Sequence, residues 1–193
     1  MRILQNNWRL ILASNSPRRK ELLEGIDVEF EIRVLPQIDE TYPESLPVEE
    51  IGEYLARKKA TSYLPDLKNN ELLITADTVV LLNDRILEKP VDAEDAKRML
   101  KILSGKTHRV ITGVCLSTKN KQVSFSDTAH VTFGELLDEE IDYYVSTYMP
   151  MDKAGSYGVQ EWIGYVGVKR IEGSYYNVMG LPIYKLYKAL KSF

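Results

Sequence analysis

The sequence predicts a mixed α/β fold: a strongly twisted sheet flanked by helices, with a smaller and more antiparallel lobe. Three features predict it. A short apolar run, "RLILA", passes directly into a helix. Amphipathic helical stretches alternate with near-continuous apolar runs. Two long strand-like segments then follow one another between residues 108 and 133. In folds of this class the active site is expected in the crevice between lobes.

The first strand, about five residues long, is followed by "SNSPRRKELLEG". Ser16 suits an N-cap, and Pro17 suits the first helical position, where its missing N–H costs nothing. Leu22 and Leu23 give the helix an apolar face, and Gly25 stands where a left-handed C-cap is expected. Arg18 and Arg19 open this helix with the wrong sign for its dipole. Together with free backbone N–H groups and the hydroxyls of Ser14 and Ser16 they would suit phosphate oxygens. Two solvated surface arginines would read equally well.

"VEFEIRVLPQIDETYPESLP" starts as a strand and becomes a Pro-rich acidic loop carrying Asp39 and Glu40. "VEEIGEYLARKKATSYL" is a helix, with Val48, Ile51 and Leu55 at helical spacing and Lys58 and Lys59 beside the stripe. "ELLITADTVVLLNDRIL" reads as a covered strand followed by a turn at Asn83-Asp84. Asp77 and Thr78 interrupt this apolar run. A carboxylate there is costly unless it is paired, hydrogen-bonded or holding a metal, and strand ends of α/β sheets commonly carry catalytic groups.

Lys89-Pro90 ends the hairpin. Asp92 caps a helix with Ala96, Met99, Leu100 and Leu103 on one face, and Ser104-Gly105 stops it. After the two long strands, "LLDEEIDYYVSTY" predicts a short helix capped by Asp138. The segment from Met149 opens as a loop of small residues. One or two strands are expected in its middle, then a C-terminal helix bearing Ile183, Leu186, Tyr187 and Leu190.

Bulk properties exclude several function classes. The 193 residues suit one domain, or one domain with a lobe. A net charge of −3 argues against general affinity for nucleic acid or an anionic membrane, so any anion site must be a local concentration of cations. The single cysteine, Cys115, lies in an apolar run and fits strand core and a reducing cytoplasm. "MRILQNNWRL" lacks the apolar stretch of a signal peptide, and no segment approaches a membrane span.

Four polar clusters stand out: Ser14 to Arg19, Asp39-Glu40, Asp77-Thr78, and the lysines at 58, 59 and 89. Carboxylates beside cations suit a polyphosphate chelated by a divalent metal, one carboxylate activating water. There is no "GxxxxGKS" and no "GxSxG", and His108 and His130 lack zinc-site spacing.

The blocks "LASNSPRRKELL", "LARKKA", "ITADTVV", "ILEKPVDAEDA", "LSGKTHRVITGV", "MDKAGSYGVQ" and "GLP" resemble, in order and spacing, the Maf family of nucleoside triphosphate pyrophosphatases. The resemblance runs from about Leu10 to Leu190. It implies one domain over residues 1–193 with residues 1–9 as an extension, and a fold similar to that of the inosine triphosphatases. It also implies hydrolysis between the α and β phosphates with Mg²⁺ or Mn²⁺. By position, Asp77 matches the proton acceptor, Arg18 and Arg19 the phosphate-binding arginines, and Glu40 an acidic residue holding the metal with Asp77. Lys59 and Lys89 match the phosphate-facing lysines.

Thr78 after the aspartate and "DKAGSYGVQ" resemble the branch acting on dTTP and UTP, in which Arg18, Thr78 and Gln160 bear on base choice. A Gln amide both donates and accepts, which suits the imide edge of uracil or thymine. Two alternatives stay open: a related enzyme acting on 7-methyl-GTP or inosine triphosphate, and a regulator of septum formation whose role is not turnover. The expected partners are a nucleoside triphosphate and a second copy of the chain.

Overall fold

A computed structural model describes residues 8–193; most of the expected N-terminal extension lies outside the described residues. Arg9 opens the first strand, β1 (Arg9–Leu12). It is followed by α1 (Pro17–Glu24), β2 (Phe30–Ile32), α2 (Ile51–Tyr63), β3 (Glu71–Leu82), β4 (Arg85–Leu87) and α3 (Ala93–Leu103). Then come β5 (Thr107–Ser117), β6 (Gln122–Phe133), α4 (Asp138–Tyr148), α5 (Trp162–Gly167), β7 (Val168–Glu172), α6 (Tyr175–Met179) and α7 (Ile183–Ser192). The seven strands among the described residues form one mixed sheet in the order β2-β1-β3-β5-β6-β7, with β4 paired to β3. No described helix is long and apolar enough to cross a membrane.

The described chain divides into two compact units, and it passes from the first to the second within β3, between Asp77 and Thr78. The first unit holds residues 8–77 with Thr112–Asp127 and Gly180–Phe193. Here β1 runs parallel to both β2 and β3, with Leu10 opposite Phe30 and Leu72. Parallel strands buried on both faces read as continuous apolar runs, and "LLIT" does so. One face carries α2 on a cluster of Ile11, Ala56, Ala60, Tyr63, Leu67, Leu73 and Cys115. Small residues let the helix come close. A Cβ on Gly113 would collide with the backbone of Gly52 and Glu53.

The second unit holds Thr78–Ile111 and Thr128–Met179. In it β3 and β4 form the expected hairpin, with Leu81 opposite Ile86 and Asn83 at positive φ. The four apolar residues expected on one face of α3 are all buried. Its polar side meets α4 through Lys97–Asp142 (2.9 Å) and Lys101–Asp138 (2.8 Å).

Two local readings are corrected. Gly25 ends α1 at φ −63°, inside the right-handed region, and the left-handed residue is Asp27. Asp138 is the first residue of α4 rather than its cap. The Leu137 N–H is taken instead by the Glu140 carboxylate at 2.8 Å, while Asp138 reaches Lys101. Of the one or two strands expected in the middle of the last segment, β7 forms, preceded by the short helix α5 over "WIGYVG". A Cβ on Gly164 there would run into the Val159 carbonyl five residues earlier in the chain.

Candidate active site

In the first unit, Ser16 caps α1 and Pro17 occupies its first turn, as the sequence implies. The Ser14 hydroxyl oxygen accepts the Ser16 N–H at 3.1 Å, and Ser16 Oγ accepts the Arg19 N–H at 3.5 Å. Both hydroxyls therefore shape the turn, while their own O–H groups can still donate. Arg18 is half-buried beside it.

Arg19 is turned inward. Its Nε donates to the Gly180 carbonyl and its Nη1 to the Ala76 carbonyl, each at 2.9 Å. Burial pulls its pKa below the ordinary arginine value. The charges of Asp77 and Glu40 oppose that shift and Arg18 adds to it. The guanidinium thus ties the residue before Asp77 to the start of the C-terminal segment, and it lies within the electrostatic reach of both carboxylates.

Asp77 and Lys59 meet because α2 is locked onto β3. Thr75 Oγ1 donates to the Ala56 carbonyl at 2.7 Å, three residues before Lys59 and two before Asp77. Lys59 Nζ then donates to Asp77 Oδ1 at 2.6 Å and pairs with Glu40 Oε1 at 2.9 Å. Asp77 and Lys59 are 15% and 13% exposed, so this pair is largely desolvated, whereas Glu40 is 53% exposed.

The acidic loop reaches this point because Leu35 and Ile38 pack on the apolar cluster and the Leu35 N–H donates to the Tyr63 hydroxyl at 3.0 Å. The neighbouring lysine does different work. Lys58 donates to the Thr41 carbonyl at 2.6 Å and pairs with Asp39 at 2.7 Å. Lys58, then the Thr41 N–H and hydroxyl, hold the Asp39 carboxyl down at about 2. The structure therefore brings together Glu40, Lys59, Asp77 and Arg19, and assigns Asp39 and Lys58 to holding the loop.

A divalent metal suits this donor set. Glu40 and Asp77 turn one oxygen each toward a single cation, the Lys59 ammonium. Among the described residues there is no group of three or more His, Cys, Asp or Glu side chains that could hold a metal. Magnesium is commonly held by one or two carboxylates, its remaining positions filled by phosphate oxygens and water. Glu40 and Asp77 are the residues that would hold it.

In the second unit Thr78 is half-buried, and Lys89 is exposed just before the buried Pro90. Gln160 lies in the loop before α5, and its Oε1 is buried without a hydrogen-bond partner. Such an acceptor is costly unless something donates to it. Met149 is an exposed left-handed residue at the end of α4.

Sequence reasoning missed the buried Lys153, which pairs with Asp152 at 2.7 Å and Glu161 at 3.2 Å. Opposite charges at the two ends of the small-residue run "KAGSYGVQE" were the signal. His108 is also buried. Its Nε2 shares a hydrogen bond with the Tyr157 hydroxyl at 2.7 Å, its Nδ1 has no partner, and burial lowers its pKa to about 4.

The Maf-like protein family matches residues 9–193. A dTTP/UTP pyrophosphatase of Phocaeicola vulgatus is 58% identical over 184 residues, covering 95% of each chain. One of Parabacteroides distasonis is 55% identical over 186 residues, covering 96% of each. Among solved structures, a HAM1 protein of Coxiella burnetii gives a TM-score of 0.45 at 15% identity, over 95% of this chain and 98% of that one.

Proposed function

The chain belongs to the Maf family, and from that premise we propose that it is a nucleoside triphosphate pyrophosphatase acting on dTTP and UTP. The observation that carries this reading is the Lys59 ammonium held between the carboxylates of Glu40 and Asp77, with the Arg19 charge close by. Cations to meet phosphate oxygens and a desolvated carboxylate to manage water are what hydrolysis of a phosphoanhydride needs. The curated relatives' names supply the base.

Asp77 accepts a proton from water as the water oxygen bonds to the α phosphorus. The bond from that phosphorus to the α–β bridging oxygen breaks, and pyrophosphate leaves with the electron pair. Arg18, Arg19, Lys59 and Lys89 offset the negative charge of the phosphates, and the Ser14 and Ser16 hydroxyls can donate to their oxygens. A divalent ion on Glu40 and Asp77 would add charge neutralisation and lower the pKa of bound water. Thr78 and Gln160 bear on the base. The buried Oε1 of Gln160 would accept the imide N–H of uracil or thymine. Cytosine has an unprotonated nitrogen there, so it would leave that oxygen unsatisfied.

The test is pyrophosphate release from dTTP, UTP, CTP, GTP, ITP and 7-methyl-GTP, with Mg²⁺ or Mn²⁺ and with EDTA. Preference for dTTP and UTP, lost in EDTA, is expected. Preference for ITP or 7-methyl-GTP would overturn the base assignment. No release from any of them would overturn the enzymatic reading.

A further inference from the structure

The loop that carries Gln160 is held by a buried polar network. Lys153, 7% exposed, pairs with one oxygen of Glu161 at 3.2 Å. The other Glu161 oxygen accepts from the Tyr144 hydroxyl, and the oxygen of that hydroxyl accepts the Gly158 N–H at 3.0 Å. Tyr144 belongs to α4 and is fully buried, so α4 is fastened to the loop at two points. Glu161 stands at the N-cap of α5, a position where a carboxylate would ordinarily bond the helix's free N–H groups. It makes no such bond, and its side chain turns back over the loop.

Gly158 is where these groups converge. A Cβ there would lie 2.7 Å from Glu161 Cδ and 3.1 Å from Gln160 Nε2, so both side chains fold into the space its missing side chain leaves. Gln160 Oε1 stays buried and without a partner in that arrangement. An amide presents an acceptor on one side and a donor on the other, and a flip exchanges them. Whatever fixes the orientation of this amide fixes what it can recognise.

We infer that Tyr144, Lys153 and Glu161 are positioning residues that hold the Gln160 amide in one orientation, and that Gly158 determines specificity by leaving room for it. This rests on the proposed role of Gln160 at the base. Gly158→Ala introduces one methyl group against the ends of two side chains, with no positive φ to strain; the Glu161 carboxylate, at 2.7 Å, must shift most, and the Gln160 amide, at 3.1 Å, gives with it. Tyr144→Phe removes one oxygen and keeps the ring.

The experiment compares kcat and KM for UTP and CTP in wild type, Gly158→Ala, Tyr144→Phe and Gln160→Ala, with melting temperatures alongside. Misplacing one recognition hydrogen bond corresponds to about a tenfold rise in KM for UTP with kcat changed less than about threefold. The kcat/KM ratio of UTP to CTP should fall about fivefold or more in Gly158→Ala and in the same direction in Tyr144→Phe. Glu161→Gln, which keeps the shape and one acceptor, should lie between them and wild type. Equal losses on UTP and CTP, or an unchanged ratio in both Gly158→Ala and Tyr144→Phe while Gln160→Ala alters it, would overturn the inference alone. An unchanged ratio in Gln160→Ala would overturn the base assignment, and the inference with it.

Discussion

Lys59 Nζ sits 2.6 Å from Asp77 Oδ1, a largely desolvated contact between a helix and a strand that the Thr75–Ala56 hydrogen bond keeps in register. The contact resolves the apparent misplacement of a carboxylate in an apolar strand. The carboxylate is paired there because a cation 18 residues earlier in the chain is folded onto it. The same cation also holds Glu40, so the ion pair gathers the two carboxylates proposed to act together.

Asp77→Asn keeps the size of the side chain and a carbonyl oxygen for Lys59 while removing the proton acceptor. Turnover should fall about 10²–10⁴-fold, the usual contribution of a general base, with nucleotide binding retained. Pyrophosphate release and nucleotide titration on the purified variant check both halves. Near-normal kcat would remove Asp77 from the chemistry.

Much of this site was legible in the sequence because its signals are local. Ser16, Pro17 and the arginine pair announce a helix start with an unusual charge, and Asp77 announces itself by breaking an apolar run. What was illegible depends on long-range packing. Nothing near Arg19 tells that two of its donors go to the carbonyls of Ala76 and Gly180, the second 161 residues away. Lys58 and Lys59 are adjacent and chemically identical; the residue pattern does not separate them, the family resemblance selects Lys59, and the fold sends Lys58 to the loop and Lys59 to Asp77.

Gly113 is the glycine on which the placement of α2 depends. A methyl group there would overlap the backbone of Gly52 and Glu53, and backbone cannot rotate away as a side chain can. Gly113→Ala should cost more than about 2 kcal/mol, at the upper side of ordinary overpacking. It should also depress kcat by moving Lys59 relative to Asp77. Urea denaturation and turnover of the variant measure the two effects.

Glu71, fully buried at the start of β3, is held by Arg33 through two bonds of 2.9 and 2.8 Å and by the Lys68 N–H at 2.9 Å. The Arg33 hydrogen bonds, against the opposing effect of burial, hold its carboxyl at about 2, compared with 4.5 ordinarily. A depressed carboxyl pKa stabilises the folded state above the ordinary value. That stability is lost as pH falls from about 4.5 toward 2. At neutral pH, Arg33→Met leaves a buried charge without its cation and should cost about 3 kcal/mol or more. Glu71→Gln should cost less, because Arg33 is partly exposed and also reaches Glu31. Denaturation midpoints of the two variants give the order, and the reverse order would show that the buried carboxylate is not the costly partner.

His108 sets a second pH window that does not depend on the ion pairs. It is buried between Phe133 and Tyr157, and burial lowers its pKa from 6.5 to about 4. The native state therefore holds the imidazole neutral where the unfolded chain would protonate it. Stability is fully present above about pH 6.5 and falls as pH drops toward 4, by on the order of 3 kcal/mol across the window. An imidazolium carries an N–H on both ring nitrogens, and while Nε2 has the Tyr157 hydroxyl beside it, Nδ1 has no acceptor, so little in the site offsets burial of the charge. His108→Phe should lower stability at pH 7 by orphaning the Tyr157 hydroxyl, yet flatten the loss between pH 7 and about pH 5. The urea midpoint of wild type and variant at those two pH values decides it. Parallel loss in both would place the acid sensitivity on other groups.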